Sequence, residues 1–231
     1  MMRSLSLVIP VYGSKTMLRE IVAHVPGLRT TAAECGFELV ETVVVDDGIM
    51  PSIDVAELDS PGGVPIVMLR NERNRGKGYS VRRGVLAARG GWVLMSDVDE
   101  SAPLTEFAAL APYADRAIAC GSRRCGKDAR PFHRRVLSRL FNAMTGTGLK
   151  DTQCGFKLFN MSLMRPVFES LRTERFAFDV ELIRKAPSVI EVPIRWRGGR
   201  RSSLKVWRDA PRMLWDLFRI RFCERRTVPF P

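Results

Sequence analysis

The sequence predicts an α/β domain with a mainly parallel sheet flanked by helices. Strand-like runs alternate with helical stretches, the runs are apolar almost throughout, and two of them end at closely spaced aspartates. Strands that are apolar on both faces are typical of a parallel sheet covered by helices. With 231 residues, of which 45% are hydrophobic and 27% charged, the chain is long enough for one domain with a sizeable core.

The elements of the first half follow in regular order. Helices are predicted at residues 15–25 and 77–89, between runs of apolar and β-branched residues. Those runs predict strands at residues 5–11 (LSLVIPV), 39–45 (LVETVVV), 65–69 and 92–95 (WVLM).

The alternation is weaker after residue 120. Apolar residues recur with helical spacing from Ala210 to Phe218 and predict an amphipathic, arginine-rich tail helix within residues 206–226. The other elements predicted in this half are a helix at 132–144, a short strand at 156–159, helices at 163–171 and 179–185, and a last strand at 189–196.

The net charge of +12 is concentrated in two segments. Residues 123–150 carry eight Lys or Arg and one Asp, and residues 195–226 carry eleven Lys or Arg and three acids. A solvated basic face, an anionic membrane, a phosphorylated substrate and nucleic acid all fit such a charge. No helix-turn-helix, zinc finger or aromatic-interleaved basic tract is visible, so nucleic acid is not expected as a partner.

Membrane spans, leader peptides and disulfides are not expected. The longest stretch without Asp, Glu, Lys or Arg is residues 4–14, whereas a spanning helix needs roughly 20 apolar residues. The N-terminus leads straight into a strand without a small-residue cleavage site. Five scattered cysteines without a CxxC pair indicate a reducing, cytoplasmic setting and no structural zinc.

Carboxylates follow two predicted strands at the edge where open α/β sheets bind ligands. Asp97 and Asp99, two residues apart, can reach one divalent cation that bridges to a diphosphate, although a helix-capping role is the alternative. Asp46 and Asp47 can accept hydrogen bonds from a base or ribose hydroxyls, and an ordinary Asp-Gly turn is the alternative there.

Three further features suggest chemistry. Residues 74–78 (NRGKG) open a helix, where glycines allow close approach of a ligand and Lys77 can neutralise phosphate. Asp151 and Asp179 lie among apolar residues, where a carboxylate is either paired structurally or tuned for acid–base work. His24 and His133 have no evident partner, so no Ser/His or Cys/His nucleophile is predicted.

In order and spacing, these motifs resemble inverting family-2 glycosyltransferases of the GT-A fold, especially dolichyl-phosphate β-glucosyltransferases and, more distantly, dolichyl-phosphate mannose synthases. The runs VVVDDG, VLMSDVDES, DTQCGFKLFN and ERFAFDVELI carry most of the resemblance. It implies a Rossmann-like sheet within a glycosyltransferase domain at residues 1–203. The domain would consist of a nucleotide-sugar half (1–101) and an acceptor half (102–203), followed by a basic helical tail (204–231).

The resemblance also implies roles for individual residues. Asp97 and Asp99 would bind Mg²⁺ or Mn²⁺ on the diphosphate. Around the nucleotide sugar it places Pro10, Tyr12, Asp46, Asp47, Lys77 and Asp97. On the acceptor side it places Arg123 facing the acceptor phosphate, Gln153, and two candidate catalytic residues, Asp151 and Asp179. Asp179 stands where relatives that glycosylate hydroxyls have their catalytic base.

Three functional hypotheses follow. The leading one is transfer of a hexose, with glucose from UDP-glucose as first choice, to a polyprenyl phosphate at the cytoplasmic membrane face, with the tail making peripheral contact. The second keeps the chemistry but uses a soluble hydroxyl or phosphate acceptor such as a secondary metabolite. The third is a non-catalytic protein that binds a nucleotide sugar or nucleic acid. A hydroxyl acceptor needs a general base and an anionic phosphate hardly does, so the role of Asp179 depends on the acceptor.

Overall fold

The computed structural model describes residues 2–13, 15–49, 58, 61–123, 145–175, 177–197, 215 and 219–220. The predicted helix at 132–144 lies outside these residues. Of the predicted tail helix, only residues 215, 219 and 220 are described, and all three are helical. The amphipathic tail helix as a whole therefore stays a prediction.

One sheet contains the strands of the described residues, in the order β3-β2-β1-β4-β6-β5-β7. β1 pairs in parallel with β2 and β4, and β2 with β3. β6 runs antiparallel to β4 and β5, whereas β5 and β7 are parallel. The strands are β1 (Arg3–Val11), β2 (Phe37–Asp46), β3 (Ile66–Arg70), β4 (Trp92–Ser96), β5 (Ile118–Ser122), β6 (Phe156–Asn160) and β7 (Val189–Pro193).

The strand directions bring distant segments to one edge. All strands of this sheet except β6 run the same way, so their C-terminal ends share an edge with the N-terminal end of β6. The mainly parallel sheet predicted from the sequence is confirmed. β5 was not among the predicted strands.

Helices cover both faces of the sheet. The helix predicted at residues 15–25 ends at Ala23, and a second helix that was not predicted begins with Val25-Pro26. A proline in the first turn of a helix needs no N–H partner. Asn160 caps α5, since its Oδ1 accepts from Ser162 N at 3.1 Å. The α-helices are α1 (Lys15–Ala23), α2 (Val25–Glu34), α3 (Lys77–Ala87), α4 (Phe107–Leu110), α5 (Met161–Glu169) and α6 (Phe178–Lys185).

The core has one apolar cluster on each side of the sheet. Phe37, in the cluster that includes α1, α2 and α4, stacks edge to face on Trp92 and Phe107 at 5.7 and 5.1 Å. In the cluster that includes α3, α5 and α6, a Cβ at Gly84 would meet Val8 at 2.7 Å and Val45 at 2.8 Å. The close packing of α3 on β1 and β2 therefore requires a glycine.

The described part of the tail packs on the domain. Ile220 is buried against Ala177 and Val180, and Arg219 Nη2 donates to Thr173 Oγ1 at 3.2 Å. Trp215, one turn earlier, is 67% exposed. No helix in the described part of the chain has both the length and the apolarity needed to cross a membrane.

Candidate active site

The shared edge of the sheet collects most residues predicted for the site. Asp179 joins them from the first turn of α6. The others lie at or just beyond strand ends: Pro10 and Tyr12 at β1, Asp46 and Asp47 at β2, Asp97 and Asp99 after β4, Arg123 after β5, and Asp151 and Gln153 before β6.

Asp46 has a buried carboxylate oxygen whose hydrogen-bonding capacity the described residues do not satisfy. The side chain is buried, and Oδ1 accepts from Ile49 N at 2.8 Å. Oδ2 is buried without a hydrogen-bond partner among the residues that the structure describes, with Arg70 Nη1 at 4.0 Å. A buried acceptor without a donor is unfavourable, so a ligand N–H that reached Oδ2 would be bound strongly. Tyr12, 56% exposed, stands nearby at the end of β1.

Asp47 has its carboxylate occupied by protein groups. It accepts from Asn71 Nδ2 at 2.7 Å and from the backbone N–H groups of Arg75 and Gly76 at 2.9 Å. These bonds fix the loop between β3 and α3. The direct nucleoside contact implied for Asp47 stays a prediction, and the visible role of the residue is to shape this loop.

The glycines of the NRGKG motif face protein backbone. Gly76 has φ of 104°, and a Cβ there would lie 2.7 Å from the Glu174 carbonyl oxygen. A Cβ at Gly78 would lie 2.6 Å from the Thr173 carbonyl oxygen. Tyr79 N donates to the Glu174 carbonyl at 3.0 Å. The close approach expected from these glycines is therefore an approach of α3 to residues 173–174, which holds Lys77 at the site.

Lys77 and Asp97 form an ion pair at the centre of the edge. Lys77 Nζ lies 2.6 Å from Asp97 Oδ1, and the two side chains are 21% and 36% exposed. Asp97 N donates to the Gly155 carbonyl at 3.0 Å. The capping alternative for Asp97 is not supported, because its contact is with Lys77 and the short helical turn at Leu104–Glu106 has Pro103 as its N-cap.

The Asp97–Asp99 turn suits a divalent cation. Both residues are partly exposed, and Asp99 Oδ1 accepts a local hydrogen bond from Ser101 N at 3.1 Å. The described residues contain no group of three or more His, Cys, Asp or Glu arranged to hold a metal. Mg²⁺ commonly takes one or two carboxylates and completes its shell with substrate phosphates and water. The oxygen donors therefore fit a cation that arrives with a diphosphate.

Arg123, which is partly buried, and Asp151, which is buried, form a bidentate ion pair. Arg123 Nε and Nη2 lie 2.7 and 2.6 Å from the two carboxylate oxygens, and Arg123 N donates to Oδ2 at 3.1 Å. Burial lowers the pKa of Arg123, but the hydrogen bonds and charge of Asp151 outweigh it and raise that pKa. Asp151 is thus a partner that orients Arg123, and its predicted catalytic role stays a prediction.

Asp179 is paired with Lys157, which was not among the site residues predicted from the sequence. Lys157, on β6, has no exposed surface, and its Nζ donates to Asp179 Oδ1 at 2.7 Å and to the Cys154 carbonyl. Burial raises the pKa of Asp179, and the charges of Lys157 and Lys77 oppose that shift. The one available signal was a lysine inside the apolar run FKLF.

The segment 151–157 (DTQCGFK) joins the parts of the site. Three residues of this segment each contact a different part of the site. They can do so because the segment leads into β6, which lies between β4 and β5. The contacts are Asp151 with Arg123 after β5, Gly155 with Asp97 after β4, and Lys157 with Asp179 on α6.

Cysteine chemistry is disfavoured here. Burial raises the pKa of Cys120 to about 12 and that of Cys154 to about 11. Both side chains are therefore neutral thiols near neutral pH, and a thiol is a poor nucleophile compared with a thiolate.

Gly155→Ala is expected to impair activity without unfolding the protein. A Cβ at residue 155 would overlap the Asp97 carboxylate, which would have to rotate away. Since a displacement of about 1 Å at a reacting centre can reduce rates ~100-fold, we expect a loss of this order in kcat. Gly27→Ala is the control, because its Cβ would meet only Thr105 Cγ2 at 3.7 Å. The measurements are kcat and the thermal unfolding temperature of both variants. Equal kcat values would contradict a role for the Asp97 carboxylate at the reacting centre.

The comparisons with known proteins identify a glycosyltransferase, and the sheet topology is that of the GT-A fold. The glycosyl transferase family 2 model matches residues 6–171, and the chain belongs to this family. The dolichyl-phosphate beta-glucosyltransferase of Dictyostelium discoideum is 31% identical over 94% of this chain and 74% of that protein. The Drosophila melanogaster protein of the same name is 34% identical, with the same coverage of both chains.

Solved structures agree on the fold. Glucosyl-3-phosphoglycerate synthase from Mycobacterium tuberculosis, in complex with Mg²⁺ and UDP, matches 99% of this chain and 81% of its own, with a TM-score of 0.63 and 17% identity. A mannosyltransferase from Pyrobaculum calidifontis, in complex with GDP-Man and Mn²⁺, matches 99% of this chain and 67% of its own, with a TM-score of 0.62 and 15% identity.

Proposed function

We propose that the protein transfers glucose from UDP-glucose to a polyprenyl phosphate, with inversion at the anomeric carbon. The observation that supports this proposal most directly is the charge balance of the acceptor side. Both carboxylates implied there are buried, and each is matched by its own cation, Asp151 by Arg123 and Asp179 by Lys157. A site whose carboxylates are neutralised can receive an anionic phosphate, whereas uncompensated carboxylates would repel it.

The donor end supports a nucleoside diphosphate sugar. Asp46 Oδ2 offers a buried acceptor for a base N–H, and uracil carries such a donor at N3. The Asp97–Asp99 turn follows β4, which is two strands from β2 in the sheet order, and Lys77 contacts Asp97 from the start of α3. A diphosphate could lie there between the lysine and a cation. Sequence similarity to the dolichyl-phosphate beta-glucosyltransferases adds glucose and the lipid phosphate.

The mechanism follows from the placement of charge. A divalent cation held by Asp97 and Asp99 would stabilise the departing diphosphate. Lys77, released from Asp97, would donate to the same phosphate oxygens. Arg123, oriented by Asp151, would hold the acceptor phosphate on the opposite side of the sugar, so that its oxygen attacks the anomeric carbon from that side. Such an attack gives inversion.

A soluble hydroxyl acceptor is the second candidate, and one observation favours it. Burial raises the pKa of Asp179, which is the direction that suits a general base. Asp179→Asn separates the two acceptors, because the amide keeps the shape and can still accept from Lys157. With a phosphate acceptor we expect kcat to stay within about tenfold of the wild-type value, below the ~10²–10⁴-fold that general-base catalysis contributes. A near-total loss of kcat, with unchanged UDP affinity, would favour the hydroxyl acceptor.

We also propose peripheral membrane contact through the tail. Residues 195–226 carry eleven Lys or Arg, and Ile220 packs against Ala177 and Val180 of the domain. Trp215, which is helical, is exposed. Tryptophan favours the membrane interface, and basic residues near an anionic surface contribute about 1 kcal/mol each.

Trp215→Ala is expected to weaken sedimentation with vesicles of phosphatidylglycerol and phosphatidylcholine. Leu163→Ala, at a residue that is 39% exposed on α5, is the control and should sediment like the wild type. Raised salt should reduce binding further, because it screens the basic residues. Binding that is insensitive to both the substitution and the salt would contradict membrane contact through the tail.

A further inference from the structure

Lys157 is an unusual residue for its position. It lies on β6 in the middle of the sheet with no exposed surface, among Phe156, Leu158 and Phe159, which are also buried. Its ammonium reaches only polar groups of the site, the Asp179 carboxylate and the Cys154 carbonyl. Buried ion pairs are poor sources of stability, because apolar residues of similar volume often serve as well. Stability alone therefore does not explain the Lys157–Asp179 ion pair, which points to a role in function.

The partner of Lys157 faces the donor end of the site. The charges of both Lys77 and Asp97 act on Asp179, and Lys77 is itself bonded to Asp97. Lys157 donates to Asp179 Oδ1. Asp179 therefore lies between the buried ammonium of Lys157 and the charges of the donor end, and its carboxylate is held by Lys157.

We propose that Lys157 is a positioning residue that sets the charge of the acceptor site. Its hydrogen bond fixes the Asp179 side chain, and its positive charge cancels the negative charge of the carboxylate. The site then accepts an anionic acceptor. This inference rests on the proposed function, since it concerns the phosphate acceptor. Arg123 attracts the phosphate, and Lys157 removes the repulsion that Asp179 would otherwise exert. The specificity for an anion then depends on a residue that never touches it.

Two variants test the proposal, Asp179→Asn and the double variant Lys157→Met/Asp179→Asn. They differ only in the charge at residue 157, and both leave no buried carboxylate without a partner. Measured at about pH 6.5, where low pH keeps a buried ammonium protonated, the acceptor KM should be lower in Asp179→Asn. We expect about a tenfold difference, which corresponds to 1.4 kcal/mol, and a return of the double variant to the wild-type KM. The UDP dissociation constant should be equal in all three proteins.

Lys185→Met is the matched control. Lys185 is a partly buried lysine on α6 that pairs with Glu181 at 2.5 Å, so its loss disturbs an ion pair of the same helix. It should lower the unfolding temperature and leave the acceptor KM unchanged. Equal acceptor KM in the Asp179→Asn and double variants would overturn the proposal, because the pair would then be only structural.

The dissociation constant of farnesyl phosphate for the UDP-saturated protein, measured by calorimetry, separates this inference from the proposed function. If polyprenyl phosphate is glucosylated but farnesyl phosphate has the same dissociation constant in both variants, the role of Lys157 is wrong and the proposed function stands. If farnesyl phosphate binds more tightly to Asp179→Asn than to the double variant but no lipid-linked product forms, the role of Lys157 is supported and the proposed function is wrong.

Discussion

Asp97→Asn is expected to lower kcat on the order of a thousandfold while the protein remains folded. Asp97 is the carboxylate that Lys77 contacts at 2.6 Å. In the proposed mechanism, Asp97 and Asp99 would provide the oxygen donors for a cation on the diphosphate. An amide keeps the shape but loses the charge that binds the cation. Stabilising the leaving group by a cation is worth several kcal/mol, and about 4 kcal/mol corresponds to a thousandfold in rate.

The measurement is the steady-state rate of sugar transfer at saturating Mn²⁺, together with the thermal unfolding temperature. Asp115→Asn is the control, because its side chain is 75% exposed and its nearest cationic partner, Arg116 Nε, is 3.9 Å away. The control should retain wild-type activity. If Asp97→Asn kept more than about a tenth of the activity, cation-assisted departure through this carboxylate would be wrong.

Arg123→Lys is expected to reduce kcat/KM for the acceptor about 100-fold, although the charge is preserved. A lysine cannot reproduce the two parallel bonds that Arg123 makes with Asp151, so the cation would no longer be held in one orientation. Loss of about 1 Å in positioning is enough for such an effect. Asp151→Asn should act on the same step, and the two effects should be far from additive because the residues work as a unit.

The readouts for this pair are acceptor KM, kcat and the dissociation constant of UDP. Arg116→Lys is the control, since the Arg116 side chain is 54% exposed and its Nε lies 3.9 Å from the neighbouring Asp115 carboxylate. We expect UDP binding to be unchanged in both Arg123→Lys and Asp151→Asn. Additive losses would contradict the view that Arg123 and Asp151 act as a unit. A loss that falls on UDP binding would place Arg123 on the donor side instead.

The fold was largely predictable from the sequence, because the buried strands are long apolar runs. The predicted runs at 5–11, 39–45 and 92–95 lie within β1, β2 and β4. β5 was missed because its sequence, IACGS, is composed mostly of small residues and lacks a β-branched run. α2 was missed because Pro26 and Gly27 resemble breakers, whereas a proline is tolerated in the first turn of a helix.

The site was predictable where it depends on strand ends. Asp46 and Asp97 lie at the ligand edge because Asp46 ends one parallel strand and Asp97 directly follows another. The apolar runs of the sequence predict both strands. The ion pairs were not predictable, since Arg123 and Asp151 are 28 positions apart and Lys157 and Asp179 are 22. Those contacts depend on the antiparallel placement of β6 between β4 and β5, and no local pattern shows it.

Transfer of glucose to a polyprenyl phosphate is tested by incubating the purified protein with radiolabelled UDP-glucose, Mn²⁺ and polyprenyl phosphate, and extracting the lipid phase. We expect a lipid-linked glucose whose anomeric proton shows the β configuration, opposite to that of the donor. We also expect that polyprenol, which lacks the phosphate, gives no product. UDP binding without any glucosylated lipid, or a product of α configuration, would contradict the proposed function.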